Sequence, residues 1–498
     1  MGFRAPIKEI GRVLQPFTVV PSGIDEQVCS GVVTDSREVK EGSLFVARKG
    51  ESLDGHEFIE KAFLAGARAC LVSDEWLNAN CCIAKEQCKK VFPGRALIGV
   101  EDTTVALGKL ASYWREQLKV PTIVLTGSNG KTSTKEMLRT ILARLVGHGT
   151  ANLKSFNNHV GLPQTILEAD ENSKWLLLEA GMNHSGELDY LGSVAKPDVA
   201  AVLNVGLAHL GFFSSVEEIA DAKCELLAHV RTSGKVVLCK DDAELQRAFK
   251  RLCEAGFVSP AVVTFGFSDQ ADYYAADWEN LGFGGSKFFV NHNGKRYASS
   301  IVHLGKHNIC NAVAAIAISR AAFQDLDVAD ICATLSECRR APMRLEVIEA
   351  AGVRVINDAY NANPVSMGKA LEVAASMING SSDRRNSFGV ILGDMLELGE
   401  RAESFHRELG KQAARLGAEK LVAFGNFAEV VVEAARGEGL DNSAVAKSQL
   451  EAAQLFLHNM PANIGVVLVK GSRGMALEKC VTKLVGELNA ISSSVSAA

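Results

Sequence analysis

The segment "TGSNGKTS", residues 126–133, contains the residue types that hold the phosphates of a nucleotide. It follows the apolar run "TIVL" and opens a helical pattern that starts at Lys131 and ends near Leu145. Backbone N–H groups at such a helix N-terminus can surround phosphate oxygens, while the lysine neutralises them and the threonine hydroxyl reaches magnesium. We predict phosphate contacts at Gly127, Ser128, Asn129, Gly130, Lys131, Thr132 and Ser133.

One position departs from the common phosphate-loop pattern, because Leu125 stands where the first glycine of that pattern would be. The departure predicts a shorter loop than in most enzymes that carry the pattern. A glycine-rich turn with a merely solvated lysine is the alternative. The agreement of strand, loop and helix favours the nucleotide site.

A carboxylate and an imidazole are predicted at the same edge of a sheet. Glu179 ends the apolar run "WLLLE", and His209 follows the run "VAAVLNVG". Ligands of open parallel sheets bind beyond the carboxyl ends of the strands, so these groups and Thr132 would suit magnesium beside ATP phosphates. Histidine is an uncommon magnesium ligand. Glu179 could instead cap the helix of "HSGELDYL", and His209 could have no ligand.

Lys223 is predicted on the buried face of a helix that opens with a capping-box pattern at Ser215 and Glu218. It lies four residues after Ile219 and three before Leu226, both in the apolar stripe. Burial lowers the pKa of a lysine and leaves its amine reactive, for example toward carbon dioxide, which would make a carbamate that binds metal. The alternative is a lysine whose ammonium reaches solvent along the helix surface.

Composition excludes several classes of protein. The chain has 498 residues with 47% hydrophobic and 22% charged residues, which is typical of a globular protein of two to four domains. A net charge of −5 gives no basic surface for nucleic acid or anionic lipid. The 12 cysteines form no C-x-x-C pair, and no stretch approaches 18 apolar residues. We therefore expect no nucleic acid partner, no membrane contact and a reducing, cytoplasmic location.

The pattern of strands and helices predicts an α/β protein of three domains. Residues 1–117 mix short strand-like runs with one clear helix and predict a small α/β domain. Residues 118–338 alternate strands and helices, which predicts a parallel sheet of the P-loop type, and antiparallel ribbons are predicted around 273–304. Residues 339–498 restart the alternation and predict a C-terminal Rossmann-like domain.

These motifs together resemble the Mur ligases, the ATP-dependent amide-forming enzymes of peptidoglycan precursor synthesis. The segment "TGSNGKTS" is similar to the short phosphate loop of the family. The segment "NVGLAHLGFFSSVEEIADAKCEL" resembles its metal-binding histidine and the helix with a carbamylated lysine. The resemblance implies ATP, two magnesium ions and a carbamate derived from CO2 on Lys223. It implies a catalytic role for Lys131 and for the metal ligands Thr132, Glu179, His209 and Lys223.

The resemblance extends to the remaining motifs and implies further contacts. "GKHNICNAVAA", "RRAPMRLE" and "INDAYNANPVSM" are similar to nucleotide and interface segments, and "VTDSREVKEGSLFVARKGESLDGHEF" is similar to a UDP-sugar-binding domain. Further ATP contacts are implied for His307, Asn308, Asn311, Arg344 and, at the ribose, Asp358. Substrate contacts are implied for Ser36, Arg37, Asn157, Asn158, Tyr360, Asn361 and Asn363.

Two members of the family share this type of N-terminal domain, and the C-terminal motifs separate them. The member that adds the third stem residue carries a D-N-P-R pattern, which is absent here. The runs "LGDMLELGE" and "LVKGSRGMALE" resemble the member that joins D-alanyl-D-alanine to UDP-MurNAc-tripeptide, with the dipeptide bound by the C-terminal domain. The resemblance implies that this chain catalyses the same reaction, that an acyl phosphate is the intermediate, and that the enzyme is a monomer.

Other interpretations remain open at this point. "LGDMLELGE" could be a strand, a turn and a helix cap without a ligand, and "NANPVSM" could be a helix start with an asparagine cap. A binding protein that has lost catalysis is a second class of function, although Lys131, Glu179, His209 and Lys223 are all present. A generic P-loop ATPase would leave the motifs after residue 150 unexplained.

Overall fold

Three large β-sheets with flanking helices organise the chain. The computed structural model describes residues 2–15, 18–20, 25–50, 53–80, 94–153, 156–207, 211–257, 260–378 and 385–496. The strands of the three sheets fall within residues 18–100, 122–301 and 346–470. The α/β class and the three-domain organisation are confirmed. The boundaries at 117/118 and 338/339 stay predictions.

The N-terminal part contains a five-stranded sheet in the order β2-β7-β6-β5-β4 and a separate antiparallel pair, β1 and β3. Strand β2 is antiparallel to β7, and the other neighbours of the sheet are parallel. The strands of the N-terminal part are β1 Arg4–Pro6, β2 Thr18–Val20, β3 Val28–Ser30, β4 Val32–Val33, β5 Leu44–Val46, β6 Ala69–Ser73 and β7 Ala96–Val100. Its helices are α1 Ile7–Leu14, α2 Ile59–Leu64, α3 Asp74–Ala79 and α4 Thr103–Gln117.

The central part contains a nine-stranded sheet in the order β16-β15-β14-β13-β12-β11-β8-β10-β9. Its strands are β8 Thr122–Thr126, β9 Thr150–Ala151, β10 Leu176–Glu179, β11 Val199–Val202, β12 Lys235–Cys239, β13 Ala261–Gly266, β14 Tyr273–Asn280, β15 Ser286–His292 and β16 Lys295–Ile301. Its helices are α5 Lys131–Leu145, α6 Gly161–Glu168, α7 Glu187–Ala195, α8 Val216–Cys224, α9 Ala243–Glu254, α10 Lys306–Ala322 and α11 Val328–Thr334.

Strands β8 to β14 of this sheet run parallel, and β14, β15 and β16 are antiparallel neighbours, which confirms the predicted ribbons. Asn293 and Gly294 make the last turn with positive φ angles of 48° and 71°, as an Asn-Gly hairpin requires. Strand β8 lies between β10 and β11, so the strand order reverses beside it. A ligand crevice is expected at such a reversal.

The C-terminal part contains a six-stranded sheet in the order β17-β18-β22-β19-β20-β21, parallel except for the edge strand β17. Its strands are β17 Glu346–Ala350, β18 Val353–Asp358, β19 Ser387–Gly393, β20 Lys420–Phe424, β21 Ser443–Ala446 and β22 Ile464–Lys470. Its helices are α12 Pro364–Ser376, α13 Ala402–Arg415, α14 Ala428–Gly437, α15 Gln449–Leu457 and α16 Glu478–Ser496. Among the described helices, none has the length and apolar character needed to cross a membrane.

The N-terminal and central parts share one apolar core. Helix α4 packs on α6 and α7 of the central part. Trp114 of α4 donates its indole N–H to the carbonyl of Ala169 at 2.8 Å, and its ring meets the fully buried ring of Phe3 edge to face at 5.5 Å. The backbone N–H of Phe3 donates to the carbonyl of Leu167 at 2.8 Å. The N-terminal segment is therefore fastened to the central part by burial as well as by hydrogen bonds.

We predict that Phe3→Ala lowers the free energy of unfolding by about 3 kcal/mol, because it removes a buried aromatic ring and leaves a cavity. Urea unfolding followed by tryptophan fluorescence measures the change. Leu64→Ala is the control, since Leu64 is 74% exposed and its truncation should cost less than about 0.5 kcal/mol. Equal stability of F3A and L64A would contradict the prediction.

Candidate active site

A cavity of about 1660 Å³ lies between the central and C-terminal sheets, beyond the carboxyl ends of their strands. Its volume exceeds that of a typical single-ligand pocket, which is about 300–1,000 Å³. The predicted site residues that line it are Ser128, Asn129, Gly130, Lys131, Thr132, Ser133, Asn157, Asn158, Glu179, His307, Asn308, Asn311, Arg344, Asp358, Tyr360, Asn361 and Asn363.

The phosphate loop joins β8 to α5, and the helix spans Lys131–Leu145 as predicted. Gly130 precedes the helix with a φ of 81°, and a Cβ built there would lie 2.3 Å from Oδ1 of Asn311. Only glycine fits this position. Asn204, which follows β11, holds the loop: its Oδ1 accepts from the Asn129 N–H at 2.9 Å, and its Nδ2 donates to the Asn129 carbonyl at 2.9 Å. The N–H groups of the first helical turn have no partner within the helix, so they can bind an anion.

Glu179, Thr132 and Arg344 meet at the start of α5. The Thr132 hydroxyl donates to Oε2 of Glu179 at 2.9 Å and accepts from Arg344 at 2.9 Å. Oε1 of Glu179 accepts from the side chain of Asn157 at 3.0 Å. Glu179 is 2% exposed, so its carboxylate depends on these groups for hydrogen bonds. The predicted strand-end position of Glu179 therefore places it beside the phosphate loop.

Arg344 reaches the phosphate loop from a constrained loop before β17. Both of its neighbours, Met343 and Leu345, have positive φ angles, of 58° and 48°. Such a backbone is held by its surroundings, here by Oδ1 of Asp358, which accepts from the Leu345 N–H at 3.0 Å. The Arg344 guanidinium lies 4.0 Å from the ring centre of Tyr360. Asp358, Tyr360 and the Thr132 hydroxyl therefore act together to orient this guanidinium.

Asp358 contacts protein groups with both of its oxygens. Its Oδ2 accepts from the buried Lys470 ammonium at 2.6 Å, and Lys470 also donates to the carbonyl of Asn361 at 2.9 Å. Asp358 lines the cavity, so a ribose contact stays a prediction. Its observed contacts are structural, since they fix the loops that carry Arg344 and Asn361.

Asn363 links the C-terminal part to the phosphate loop. Its side chain accepts from the Ser366 N–H at the start of α12, which is the helix cap considered as an alternative above. Its Nδ2 also donates to Oδ1 of Asn129 at 2.9 Å. The residue therefore caps a helix and contacts the opposite wall of the cavity.

Lys131 and Lys223 are cations whose charge the site disfavours. Burial lowers the pKa of Lys131, whose Nζ donates to the Gly127 carbonyl at 2.5 Å. Burial holds the pKa of Lys223 well below its usual range, and the positive charge of Lys131 lowers it further. Lys223 is 2% exposed on α8, so the alternative of a lysine reaching solvent is wrong. No hydrogen bond or ion pair joins Lys223 to another described residue.

The start of α10 provides the wall beside Gly130. Asn308 donates to the Leu304 carbonyl at 2.7 Å, and Asn311 donates to Oδ1 of Asn308 at 2.9 Å. Burial lowers the pKa of His307 to about 3, with the charges of Lys369 and Lys470 as further causes. His307 is therefore a neutral imidazole at physiological pH and would meet a ligand as such.

The predicted substrate residues are divided between the cavity and the N-terminal part. Asn158 lines the cavity, but its Oδ1 also accepts from the Val160 and Gly161 N–H groups at the start of α6. Ser36 and Arg37 are not among the described residues that line the cavity. Ser36 is buried, and Arg37 is exposed and pairs with its neighbour Asp35.

Two predicted residues need separate comment. His209 lies outside the described residues, so its place at the sheet edge stays a prediction. Lys223 is not among the cavity-lining residues, although its pKa responds to Lys131. The set Thr132, Glu179 and Lys223 still fits a magnesium site, because a hydroxyl and a carboxylate converge and a nearby buried amine lacks a partner among described residues. Among the described residues, no cluster of three His, Cys, Asp or Glu side chains forms a metal site without the lysine.

The acidic run "LGDMLELGE" begins at the end of β19. Its contacts are those of the strand, turn and cap that were considered above as the alternative to a ligand site. Both oxygens of Asp394 accept from backbone N–H groups, those of Asn426 and Phe427. Leu396 and Glu397 line the cavity, and the Glu397 carbonyl accepts from the Gly211 N–H at 2.9 Å. The run therefore caps local structure and also contacts the central part.

Three residues of the site were not predicted from the sequence: Lys135, Asn152 and Asn204. The fully buried Lys135 lies three residues before Leu138 of the apolar stripe of α5, so its spacing could have revealed it. Asn152 is buried and bonds to both the N–H and the carbonyl of Glu179, each at 2.9 Å. No local pattern indicates that contact, because the residues lie 27 positions apart.

Family models match most of the chain in three segments. Residues 28–115 match the model described as Mur ligase family, catalytic domain. Residues 125–319 match the Mur ligase middle domain, and residues 343–473 match the Mur ligase, glutamate ligase domain. The three segments correspond to the three sheets.

Similar proteins align over nearly the full length. The UDP-N-acetylmuramoyl-tripeptide–D-alanyl-D-alanine ligase of Bacillus subtilis (strain 168) is 33% identical over 96% of this chain and 98% of its own. A crystal structure of MurF from Acinetobacter baumannii has a TM-score of 0.83 and 29% identity, covering 97% of this chain and 99% of that one. MurF ligase from Thermotoga maritima in complex with ADP has a TM-score of 0.75 and 27% identity, covering 92% and 98%.

The neutral His307 predicts a pH dependence of stability. Below the unfolded-state pKa of about 6.5, the unfolded chain binds a proton that the folded chain does not bind until about pH 3. Stability is therefore lost as the pH falls from 6.5. Between pH 7.5 and 5.5, the wild type should lose about 1.4 kcal/mol more than His307→Asn in urea unfolding. His458→Asn, at an exposed position, is the control for the loss of one imidazole. A wild-type pH dependence in H307N would contradict the assignment.

Proposed function

The chain belongs to the Mur ligase family, and from this premise we propose that it joins D-alanyl-D-alanine to UDP-N-acetylmuramoyl-tripeptide with ATP. As a member of the family, it is an ATP-dependent ligase. The specific reaction is that of the relatives named above, which match it over nearly their whole length. One observation supports it most directly: Arg344 of the C-terminal part donates to Thr132 of the phosphate loop, so both parts contribute to one site.

The proposed reaction has two steps. The carboxylate that ends the tripeptide attacks the γ-phosphorus of ATP, which forms an acyl phosphate and releases ADP. The amine of D-alanyl-D-alanine then attacks the acyl carbon, and the tetrahedral intermediate loses inorganic phosphate to leave an amide and UDP-MurNAc-pentapeptide. The amine proton passes to solvent or to the leaving phosphate.

The residues of this chain address the main obstacle to the first step, which is repulsion between a carboxylate and a triphosphate. The N–H groups at the start of α5 and the ammonium of Lys131 would hold the phosphates. Arg344 would place a second positive charge on the opposite side of the transferring phosphoryl group. The Lys131 ammonium donates to the Gly127 carbonyl, and a phosphate oxygen would replace that carbonyl as its hydrogen-bond acceptor.

Magnesium fits the same corner. Thr132, Glu179, His209 and a carbamylated Lys223 would hold up to two ions, and magnesium, when bound, screens the charge of the phosphates. The free amine of Lys223 would add to CO2 and lose one proton, which converts the side chain into an anion. The burial of Lys223 near Lys131 supports this step. Carbamylation would replace the repulsion between the two lysine cations with an attraction between the Lys223 carbamate and the Lys131 ammonium.

The acyl phosphate must also be protected from water. The cavity walls from the central and C-terminal parts would enclose it, with the segments near 117 and 340 as hinges.

We further propose that residues 1–117 bind the UDP-sugar, through Ser36 and Arg37, that 118–338 bind ATP, and that 339–498 bind the dipeptide. Asn157, Asn158, Tyr360, Asn361 and Asn363 would face the substrates. The enzyme would act as a monomer in the cytoplasm, where ATP and UDP-linked precursors are available.

We predict that phosphate release requires ATP, the UDP-tripeptide and D-alanyl-D-alanine together, because the acyl phosphate forms only on the bound carboxylate. A phosphate-release assay with each component omitted in turn measures this, with diaminopimelate and lysine forms of the tripeptide both supplied. Rapid ATP hydrolysis without either substrate would contradict the proposal. Ligation of a free diamino acid to the UDP-dipeptide would instead identify the ligase that adds the third residue.

We predict that Lys223→Ala lowers kcat by about 100-fold with little change in the unfolding midpoint, because it removes the anion formed from CO2. The wild type should also lose activity in CO2-depleted buffer and regain it with bicarbonate. Lys109→Ala, at an exposed position on α4, is the control and should keep full activity. Near-normal activity of K223A would show that no carbamate is used.

A further inference from the structure

Lys135 is a fully buried cation next to the active site that the proposed reaction does not use. It lies on α5 one turn after Lys131, and its side chain is 0% exposed. An ammonium loses its hydration at such a place, and an apolar side chain of similar size would often be at least as stable. A reason for the charge must therefore be sought in what surrounds it.

Lys135 contacts Glu179 and the segment that leads to the substrate side. Its Nζ lies 3.7 Å from Oε2 of Glu179, the oxygen that also accepts from Thr132. The same Nζ donates to the backbone carbonyl of Asn152 at 2.8 Å. A second carboxylate, that of Glu136, lies 3.7 Å away on the side nearer the surface.

Asn152 extends this contact in two directions. Its side chain bonds to the N–H and the carbonyl of Glu179, and its Nδ2 also donates to the carbonyl of Phe156 at 2.9 Å. Phe156 precedes Asn157, whose amide donates to Oε1 of Glu179. These contacts form a closed ring of residues. Lys135 contacts Asn152, Asn152 contacts Phe156, Asn157 contacts the Glu179 carboxylate, and that carboxylate pairs with Lys135.

The ring has a chemical consequence for Glu179. Its two oxygens are held by groups on different elements, Thr132 and Lys135 of α5 for Oε2 and Asn157 for Oε1. The orientation of the carboxylate therefore depends on where Asn152 and Asn157 lie relative to α5. The Lys135 ammonium fixes that relation through its hydrogen bond to the Asn152 carbonyl and its ion pair with Glu179.

We propose that Lys135 is a positioning residue that orients Glu179, Asn152 and Asn157 for binding of magnesium-ATP. The inference rests on the proposed role of Glu179 at the nucleotide and does not depend on which amine the enzyme ligates. Groups that orient a metal ligand, when mutated, typically change metal affinity by about 10- to 100-fold. A displacement of about 1 Å at a reacting group can reduce the rate by about 100-fold.

The test compares Lys135→Met with a matched buried lysine outside the site. Lys420 in β20 is 4% exposed and, like Lys135, donates to a backbone carbonyl, that of His458. Titration calorimetry gives the affinity for ATP with and without magnesium, and the ratio of the two is the measured quantity. We expect K135M to reduce this ratio by about 10-fold and kcat by about 100-fold, and K420M to change neither.

Two further variants guard against a protein that does not fold. Lys135→Arg keeps the charge and should restore part of the magnesium effect. Asn152→Ala removes the contact between Asn152 and Glu179 from the other side and should reduce the same ratio. Thermal unfolding confirms that each protein is folded. An unchanged magnesium effect in folded K135M, or in folded N152A where K135M fails to fold, would overturn the inference.

The outcomes also separate this inference from the proposed function. If the wild type binds magnesium-ATP but does not ligate D-alanyl-D-alanine, the proposed acceptor is wrong, while the binding ratio still tests Lys135. A reduced ratio in K420M as large as in K135M would mean a general loss of stability and would overturn the positioning role.

Discussion

The active site depends on the hydroxyl of Thr132, which is shared between two domains. It donates to Glu179 of the central sheet and accepts from Arg344 of the C-terminal part. A hydroxyl can donate one hydrogen bond and accept others, so it can join a carboxylate and a guanidinium at one point. The phosphate loop, the end of β10 and the loop before β17 must all be in place for this arrangement to form.

Charge is the second constraint on the site. Lys131 and Lys135 lie near the buried carboxylate of Glu179. Arg344 contacts the Thr132 hydroxyl that donates to Glu179, and Lys223 lies near Lys131. Such a group of positive charges is unfavourable without anions. Burial is the main cause of the lowered pKa values of Lys131 and Lys223, and a neighbouring positive charge, Arg344 for Lys131 and Lys131 for Lys223, lowers each further. A triphosphate supplies the missing negative charge. The site is therefore electrostatically complete only with its ligand, as expected of a protein built to bring two anions together.

Local signals in the sequence were sufficient for much of the fold and for part of the site. The bounds of α5, the strand-end position of Glu179 and the buried face of α8 follow from periodicity, and all were found as predicted. The contact of Arg344 with Thr132 joins residues 212 positions apart, and only the resemblance to a family placed them together. The burial of Lys135 could have been predicted from its spacing in α5. Its contact with Asn152 and the contact of Asn204 with the phosphate loop join different elements, and no local pattern predicts them.

The link between Asn363 and Asn129 has an energetic consequence for turnover. It is a single hydrogen bond between two neutral amides across the cavity, and bonds of this type contribute about 0.5–1.5 kcal/mol net. Together with the contact from Arg344, it biases the two walls toward each other without locking them. Domain motions occur on timescales of microseconds to milliseconds, so walls joined this weakly can part and let a bulky product bearing a nucleotide leave while the fold of each part stays intact.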